Sequence, residues 1–102
     1  MTDAWLAGFF EGEGSAILDK RGRLHITLYQ KDMYILTEIK LKHGGGLVNR
    51  IVDKKTGRKC GRLVWTGPKA SVIASIIYPY LIGFGKKQNV IRDCIERPRT
   101  RP

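Results

Sequence analysis

The sequence predicts an α+β fold in which a helix precedes each of two β-hairpins and two further helices follow. Apolar residues recur at helical spacing in four segments, whereas apolar and polar residues alternate in Leu24–Gln30. With 102 residues, the chain is long enough to form one core. We therefore predict a single domain at 1–97, followed by a basic, proline-rich tail at 98–102.

The first helix contains the stretch WLAGFFEGEGS, at Trp5–Ser15. Small residues repeat every four positions along one side of it: Ala4, Gly8 and Gly12. A stripe that lacks side chains lets another helix come close. Glu11 and Glu13 fall at the C-terminus of this helix, where the macrodipole is already negative, so a positive partner is expected there. The alternative is a solvated helix end with two surface glutamates.

A hairpin is predicted next, with strands at Ser15–Leu18 and Leu24–Gln30. In the second strand Leu24, Ile26 and Leu28 are apolar, and the residues between them carry hydrogen-bonding groups. A basic two-stranded ribbon of this kind fits the DNA major groove, where Arg, His and Thr side chains reach base edges. The same pattern also suits a sheet face that is exposed to solvent.

The second helix is predicted at Lys31–His43, with Asp32 as its cap and three glycines after it. Its predicted core side consists of Met33, Ile35, Leu36, Ile39 and Leu41. Pro68 begins the third helix and Pro79 ends it. The predicted core side of that helix consists of Ala70, Val72, Ile73, Ile76 and Ile77. The last helix is predicted at Lys87–Arg97.

The second hairpin is predicted between these helices, with strands at Leu47–Asp53 and Arg62–Thr66. The segment that joins the strands is rich in cations: Lys54, Lys55, Arg58 and Lys59. We expect these to contact phosphates and to add salt-dependent affinity, although a solubilising surface loop has the same composition. Two alternative sets of residues in this hairpin could face DNA, and the sequence does not decide between them. One set is Asn49, Ile51 and Asp53, and the other contains Arg50 and Arg62, which suit DNA better but have the opposite parity.

The chain is strongly basic, with 19 Lys and Arg against 9 Asp and Glu and a net charge of +10. Nucleic acid is the partner that such a charge indicates. No apolar run reaches the length of a membrane span and no cationic leader opens the chain, so we expect no membrane partner and an intracellular location with the target DNA. Cys60 and Cys94 form no disulfide framework, which suits a reducing compartment.

The string LAGFFEGEG, at Leu6–Gly14, resembles the LAGLIDADG motif of homing endonucleases nearly position for position. The predicted order of elements is similar to the αββαββα core of that family, so the resemblance extends over nearly the whole chain. It implies an antiparallel, saddle-shaped sheet that is covered by helices on one face. Because the chain has one motif, the resemblance implies a homodimer whose motif helices pack together. The implied interface residues are Ala4, Trp5, Gly8, Phe9 and Gly12.

The resemblance also implies which residues do the chemistry. The last acidic residue of the motif binds the catalytic metal in that family, so Glu13, with the Gly12 carbonyl, is expected to hold Mg²⁺. Gln30 matches a polar residue near the scissile phosphates and is expected to position water. We expect Glu11 to hydrogen-bond locally at the helix end.

The chain departs from the family pattern ahead of its last helix. The family commonly has a basic residue three places before the position of Gln88, and Gly85 occupies that place here. We assign the role of this residue to Lys86, with Lys87 as the alternative. The departure leaves open whether cleavage activity is retained.

The activity that the resemblance implies is hydrolysis of both strands of a palindromic or nearly palindromic DNA site, leaving 3′ overhangs and promoting intron or intein mobility. The residues that we expect to contact DNA are Ser15, Ile17, Asp19, Arg21, Arg23, His25, Thr27, Asn49, Arg50, Arg62 and Lys87, together with the cationic segment. The alternative on the same fold is a DNA-binding protein without cleavage, or a maturase that binds RNA and aids intron splicing. A generic RNA-binding module would need exposed aromatic residues on the sheet, and only Tyr29 qualifies.

Overall fold

The computed structural model describes residues 1–52, 57 and 59–97. Its helices are α1 (Asp3–Glu13), α2 (Met33–His43), α3 (Pro68–Ile77) and α4 (Lys86–Glu96), with a short 3₁₀ helix at Tyr78–Tyr80. Its strands are β1 (Gly14–Leu18), β2 (Leu24–Gln30), β3 (Gly46–Val52) and β4 (Lys59–Thr66). The predicted order of elements is confirmed. Of the predicted cationic segment, Lys54, Lys55 and Arg58 lie outside the described residues, and Lys59 is the first residue of β4.

The four strands form one antiparallel sheet in the order β1-β2-β4-β3. The two hairpins therefore meet through β2 and β4, where Ile26 pairs with Trp65 and Leu28 pairs with Leu63. These four side chains are buried, whereas their neighbours along each strand are partly or fully exposed. Alternation in the sequence thus gives the sheet one apolar face, which the helices cover, and one open face.

Each helix contributes one side to the core beneath the sheet. The buried residues of the helices are Leu6, Ala7, Phe10, Leu36, Ile39, Ala70, Ile73, Ala74, Ile77, Gln88 and Ile91. Two predicted core residues are wrong, since Leu41 is 76% exposed and Val72 is 59% exposed. Both lie two residues from a buried position, which turns a side chain about 200° around a helix. No helix within the described ranges is long and apolar enough to cross a membrane.

Local signals set the helix ends that border the site. The side chains of Thr2 and Asp32 accept hydrogen bonds from backbone N–H groups in the first turns of α1 and α2, as expected of N-caps. Gly44 ends α2 with φ at +72°, a backbone conformation that residues other than glycine rarely adopt. Gly14 follows α1 directly and begins β1, so the end of the motif helix leads straight into the sheet.

Candidate active site and nucleic-acid interface

One side of α1 packs on the core and the other is uncovered. A Cβ atom at Gly8 or Gly12 would meet nothing within 4 Å, so packing within the described chain does not require glycine at either position. Trp5 is 42% exposed and stacks on Phe9, with ring centroids 5.2 Å apart. Ala4 is also exposed. Four residues of the implied helix interface thus lie on a surface that the described part of this chain leaves bare, namely Ala4, Trp5, Gly8 and Gly12, whereas Phe9 is partly buried against the core.

Glu13 is the last residue of α1 and is exposed. Among the residues that the structure describes, no hydrogen bond or ion pair engages its carboxylate. The carbonyls of the last helical turn have no N–H partner within the helix, and Gly12 belongs to that turn. The end of α1 therefore presents a carboxylate and backbone carbonyl oxygens together. Hard divalent cations prefer oxygen ligands of these kinds.

Glu11 does not hydrogen-bond locally, and that expectation is wrong. Its carboxylate accepts a hydrogen bond from the Gly83 N–H over 2.7 Å, from the Ile82 N–H over 3.1 Å and from Gln88 Nε2 over 3.2 Å. The segment that follows the 3₁₀ helix crosses the end of α1 and brings these donors to it. Desolvation disfavours the charged form of Glu11, but the hydrogen bonds from Gly83, Ile82 and Gln88 outweigh it and lower the pKa of Glu11.

Lys87 is the lysine that reaches the end of the motif helix. Its Nζ donates a hydrogen bond to the Gly14 carbonyl over 3.0 Å and lies 5.6 Å from the centroid of the Phe10 ring. Gly14 is the residue that follows Glu13, so a positive charge lies beside the acidic helix end. Lys86, the first residue of α4, is exposed.

The side chain of Gln30 is held at the start of α2. Its Oε1 accepts hydrogen bonds from the backbone N–H groups of Lys31 and Asp32, over 2.9 and 3.5 Å. Within the described ranges, no hydrogen bond joins Gln30 to Glu13 or to Lys87. The structure brings together Glu11, Lys87 and the helix end, and it leaves Gln30 with its own chain neighbours.

The open face of the sheet contains the predicted readout positions that lie in the strands of the first hairpin, whereas Asp19, Arg21 and Arg23 lie in the turn between them. On that face Ser15 pairs with Thr27 and Ile17 pairs with His25. The face continues across β4, where Arg62 pairs with Tyr29 of β2 and with Val48 of β3.

The register of the second hairpin places Arg62 on this open face. Val48 pairs with Arg62 and Ile51 pairs with Cys60, so β3 has one residue more than β4 between these pairs. Asn49 and Arg50 lie at this irregularity, and their side chains are outside the described part of the structure.

Asp19 organises the turn at the end of the first hairpin. Its carboxylate accepts hydrogen bonds from the N–H groups of Arg21 and Arg23, from Arg23 Nε and from His25 Nε2, over 2.8 to 3.3 Å. The His25 hydrogen bond, with those from the Arg23 and Arg21 backbone, holds the pKa of Asp19 well below its usual range. An Asp at the first position of a turn is itself a sequence signal for such a role.

Gln88 is the site residue that sequence reasoning missed. It is 7% exposed, and it lies on the core side of α4 with the buried Ile91. A glutamine at helical spacing with core residues indicates a buried hydrogen-bond partner, because an unpaired buried amide is unfavourable. That signal says a partner exists, but it does not say that the partner is Glu11.

Solved structures of homing endonucleases have the same fold. One is I-CvuI bound to the I-CreI target, with DNA not cleaved in the presence of Mg: TM-score 0.64, 20% identity, 92% of this chain and 63% of that chain covered. Another is I-CvuI with its own target in the presence of Ca, with a TM-score of 0.63, 19% identity and the same coverage. The archaeal intron-encoded I-Vdi141I complexed with DNA gives 0.59 and 18%, covering 92% of this chain and 66% of that one.

Comparisons with models of protein families and with curated protein sequences found no match. The likeness to solved structures therefore establishes the fold, at 18% to 20% identity. The chain has the homing endonuclease fold, a four-stranded antiparallel sheet with helices on one face. It spans 63% of the length of the I-CvuI chain.

Proposed function

We propose that this chain is the subunit of a site-specific DNA endonuclease that cleaves both strands as a Mg²⁺-dependent homodimer. The observation that carries the proposal is the end of α1, where the Glu13 carboxylate is unengaged among the described residues and the Lys87 ammonium is bonded to the carbonyl of the next residue, Gly14. Phosphodiester hydrolysis needs an oxygen ligand for a metal and positive charge near the phosphate, and these two groups supply both. The shared fold with DNA-bound homing endonucleases supports the same function.

The proposed metal ligands are Glu13 and the Gly12 carbonyl. Within 1–52, 57 and 59–97, no group of three or more His, Cys, Asp or Glu side chains is arranged to hold a metal ion. A single copy therefore offers few ligands, and in this proposal a second copy and the DNA phosphates complete the oxygen set. Bound Mg²⁺ supplies Lewis-acid activation of water and stabilisation of charge at the scissile phosphate.

The remaining roles belong to residues of the last helix and of β2. A lysine ammonium near the helix end would neutralise charge that develops on the phosphate. The contact with Gly14 supports Lys87 for this role, and Lys86 stays a prediction. The water-positioning role of Gln30 also stays a prediction, and it requires the Gln30 side chain to leave the Lys31 N–H when DNA binds.

The bare stripe of α1, which consists of Ala4, Gly8 and Gly12, supports the homodimer. Glycine in a helix interior is less favourable than alanine by about 0.5–1 kcal/mol, so two glycines that nothing touches point to a close partner. A second copy of the same helix is the partner that we propose, and such twofold pairing predicts a palindromic or nearly palindromic site that is cut to leave 3′ overhangs. A dimer also doubles the +10 charge that attracts DNA.

The experiment that tests the proposal is a cleavage selection on a randomised palindromic DNA library in Mg²⁺, repeated with EDTA. We expect the parent chain to cut a subset of sites. Glu13→Gln should bind the selected site like the parent and cut it slower by about 10²–10³-fold. Glu38→Gln is the matched control, since it makes the same change on α2, away from the helix end, and should cut normally.

The alternative function is binding without cleavage, and Gly85 at the position where the family commonly has a basic residue favours it. A chain that binds selected duplexes but leaves them intact in Mg²⁺ would exclude the endonuclease. Preferential binding of a structured intron RNA over the DNA duplex would then identify a maturase.

A further inference from the structure

A single side chain joins the segment before α4 to the end of α1. Oε2 of Glu11 accepts hydrogen bonds from the Gly83 N–H and from Gln88 Nε2, and the Ile82 N–H lies 3.1 Å from both carboxylate oxygens. Two of these donors are backbone groups ahead of α4, and the third is a side chain of its first turn. Glu11 thus binds both the segment ahead of α4 and the first turn of α4.

Other contacts of this segment do not fix its position against α1. Leu81 packs on the core at its start, but Ile82 is 83% exposed and Phe84 is 80% exposed. The contacts of Phe84 are with α4 itself, through Asn89 Nδ2 on its carbonyl and the Arg92 guanidinium over its ring. Beyond Leu81, the hydrogen bonds to Glu11 are the polar link to α1 among the described residues.

Lys87 lies next to this link in the chain. Gln88 follows Lys87 directly, and the buried amide of Gln88 donates to Glu11, so this bond acts together with the buried Ile91 to hold the rotation of the first turn of α4. In that rotation the Lys87 ammonium reaches the Gly14 carbonyl. A helical turn rotated by one residue would carry Lys87 about 100° away from the helix end.

We propose, on the basis of the proposed function, that Glu11 is a positioning residue that holds the first turn of α4 and so places the Lys87 ammonium beside the metal-binding Glu13. The two glutamates of the motif helix then have different roles. Glu13 faces metal and DNA, and Glu11 faces the protein and acts through Lys87.

The first test uses the protein without metal or DNA. Acetylation of lysines by an N-hydroxysuccinimide ester is followed by peptide mass spectrometry, with the neighbouring Lys86 as the internal control. In the parent, Lys87 should react several-fold more slowly than Lys86, because its Nζ is hydrogen-bonded and half-buried. In Glu11→Ala the two rates should become equal.

Glu11→Gln is a milder second variant, which is used in case Glu11→Ala does not fold. It keeps one acceptor oxygen, so Lys87 should become more reactive by a smaller factor than in Glu11→Ala. Circular dichroism confirms that each variant is folded at the temperature of the assay. If Lys87 stays as protected in the folded variants as in the parent, the positioning role is refuted.

The second test is a double-mutant cycle on DNA cleavage at saturating protein. Glu11→Ala should slow the single-turnover rate by about 10–100-fold while the Kd for DNA stays unchanged, because a misplaced catalytic group costs rate rather than binding. In a Lys87→Ala background the same change should have little further effect. If the double variant shows the full sum of the two single variants' losses in activation free energy, Glu11 does not act through Lys87. If the parent cuts no DNA, the proposed function fails, whereas the acetylation ratio still decides the positioning role.

Discussion

A Cβ atom at Gly85 would lie 2.8 Å from Oε1 of Gln88, which is closer than such atoms approach in proteins. Gln88 has little freedom to retreat, because it is buried and its Nε2 is bonded to Glu11. Glycine at position 85 is therefore matched to the way α4 begins in this chain.

The first prediction is that Gly85→Lys does not improve cleavage. The new side chain would displace Gln88 from Glu11 and lower the free energy of unfolding by about 1–3 kcal/mol, as overpacked positions do. Urea unfolding and the single-turnover cleavage rate measure both effects. Gly85→Ala adds the Cβ atom alone and should give most of the destabilisation. Faster cleavage by Gly85→Lys would show that the position lacks only a charge.

The second prediction separates folding from dimerisation at the bare stripe. Gly8→Ala should raise the free energy of unfolding of the monomer by about 0.5–1 kcal/mol, because alanine favours the helix and nothing lies within 4 Å of its Cβ. The same methyl group should weaken dimerisation by about tenfold, or about 1.4 kcal/mol, if the helices cross here. Urea unfolding at low protein concentration measures the stability of the monomer, and sedimentation equilibrium measures dimerisation.

Gly14→Ala is the control, because its Cβ would lie 2.6 Å from Phe10 Cδ1 and 2.8 Å from the Phe10 carbonyl. This variant should destabilise the monomer. A Gly8→Ala chain that dimerises as well as the parent would place the interface elsewhere.

Local sequence signals were enough to predict the elements and most of the core. Alternation in Leu24–Gln30, the Asp32 cap and Pro68 each act within a few residues, so the pattern itself contains the information. The errors at Leu41 and Val72 arose because both helices are rich in apolar residues on more than one side.

The arrangement of the site was less predictable, because it depends on contacts between distant segments. The partners of Glu11 lie 71 to 77 residues further along the chain, and two of them are backbone N–H groups, which every residue but proline has. Whether Lys86 or Lys87 reaches the helix end depends on the rotation of α4. Which residues of β3 share the face of Arg62 depends on an extra residue in β3 that no glycine marks.

The third prediction concerns the open face. Arg62→Ala should weaken DNA binding and reduce the salt dependence of the binding constant by about one ion, since one phosphate or base contact is lost. Lys69→Ala removes the same charge from an exposed position on α3, in the helical layer, and should leave both quantities nearly unchanged. Fluorescence anisotropy at several salt concentrations measures them. Equal effects of the two variants would mean that DNA responds to total charge and not to this face.

The fourth prediction follows from the lowered pKa of Asp19. An unfolded Asp titrates at about 3.9, so a carboxylate whose folded pKa lies below this contributes stability above about pH 4 and loses it as the pH falls. Asp19→Asn should therefore be less stable than the parent at pH 7, and the difference should shrink as the pH falls below about 4. Urea unfolding across this range measures it.

His25→Ala tests the cause of that pH dependence. The hydrogen bond from His25 is the largest contribution to the lowered pKa, and the N–H groups of Arg21 and Arg23 remain when it is lost. The acid dependence attributed to Asp19 should consequently be smaller in the His25→Ala background but not absent. A stability difference between Asp19→Asn and the parent that is constant from pH 7 to acid would mean that the carboxylate is not stabilised in its charged form. Since His25 lies on the open face of the sheet, the same bond also determines how its ring is oriented on that face.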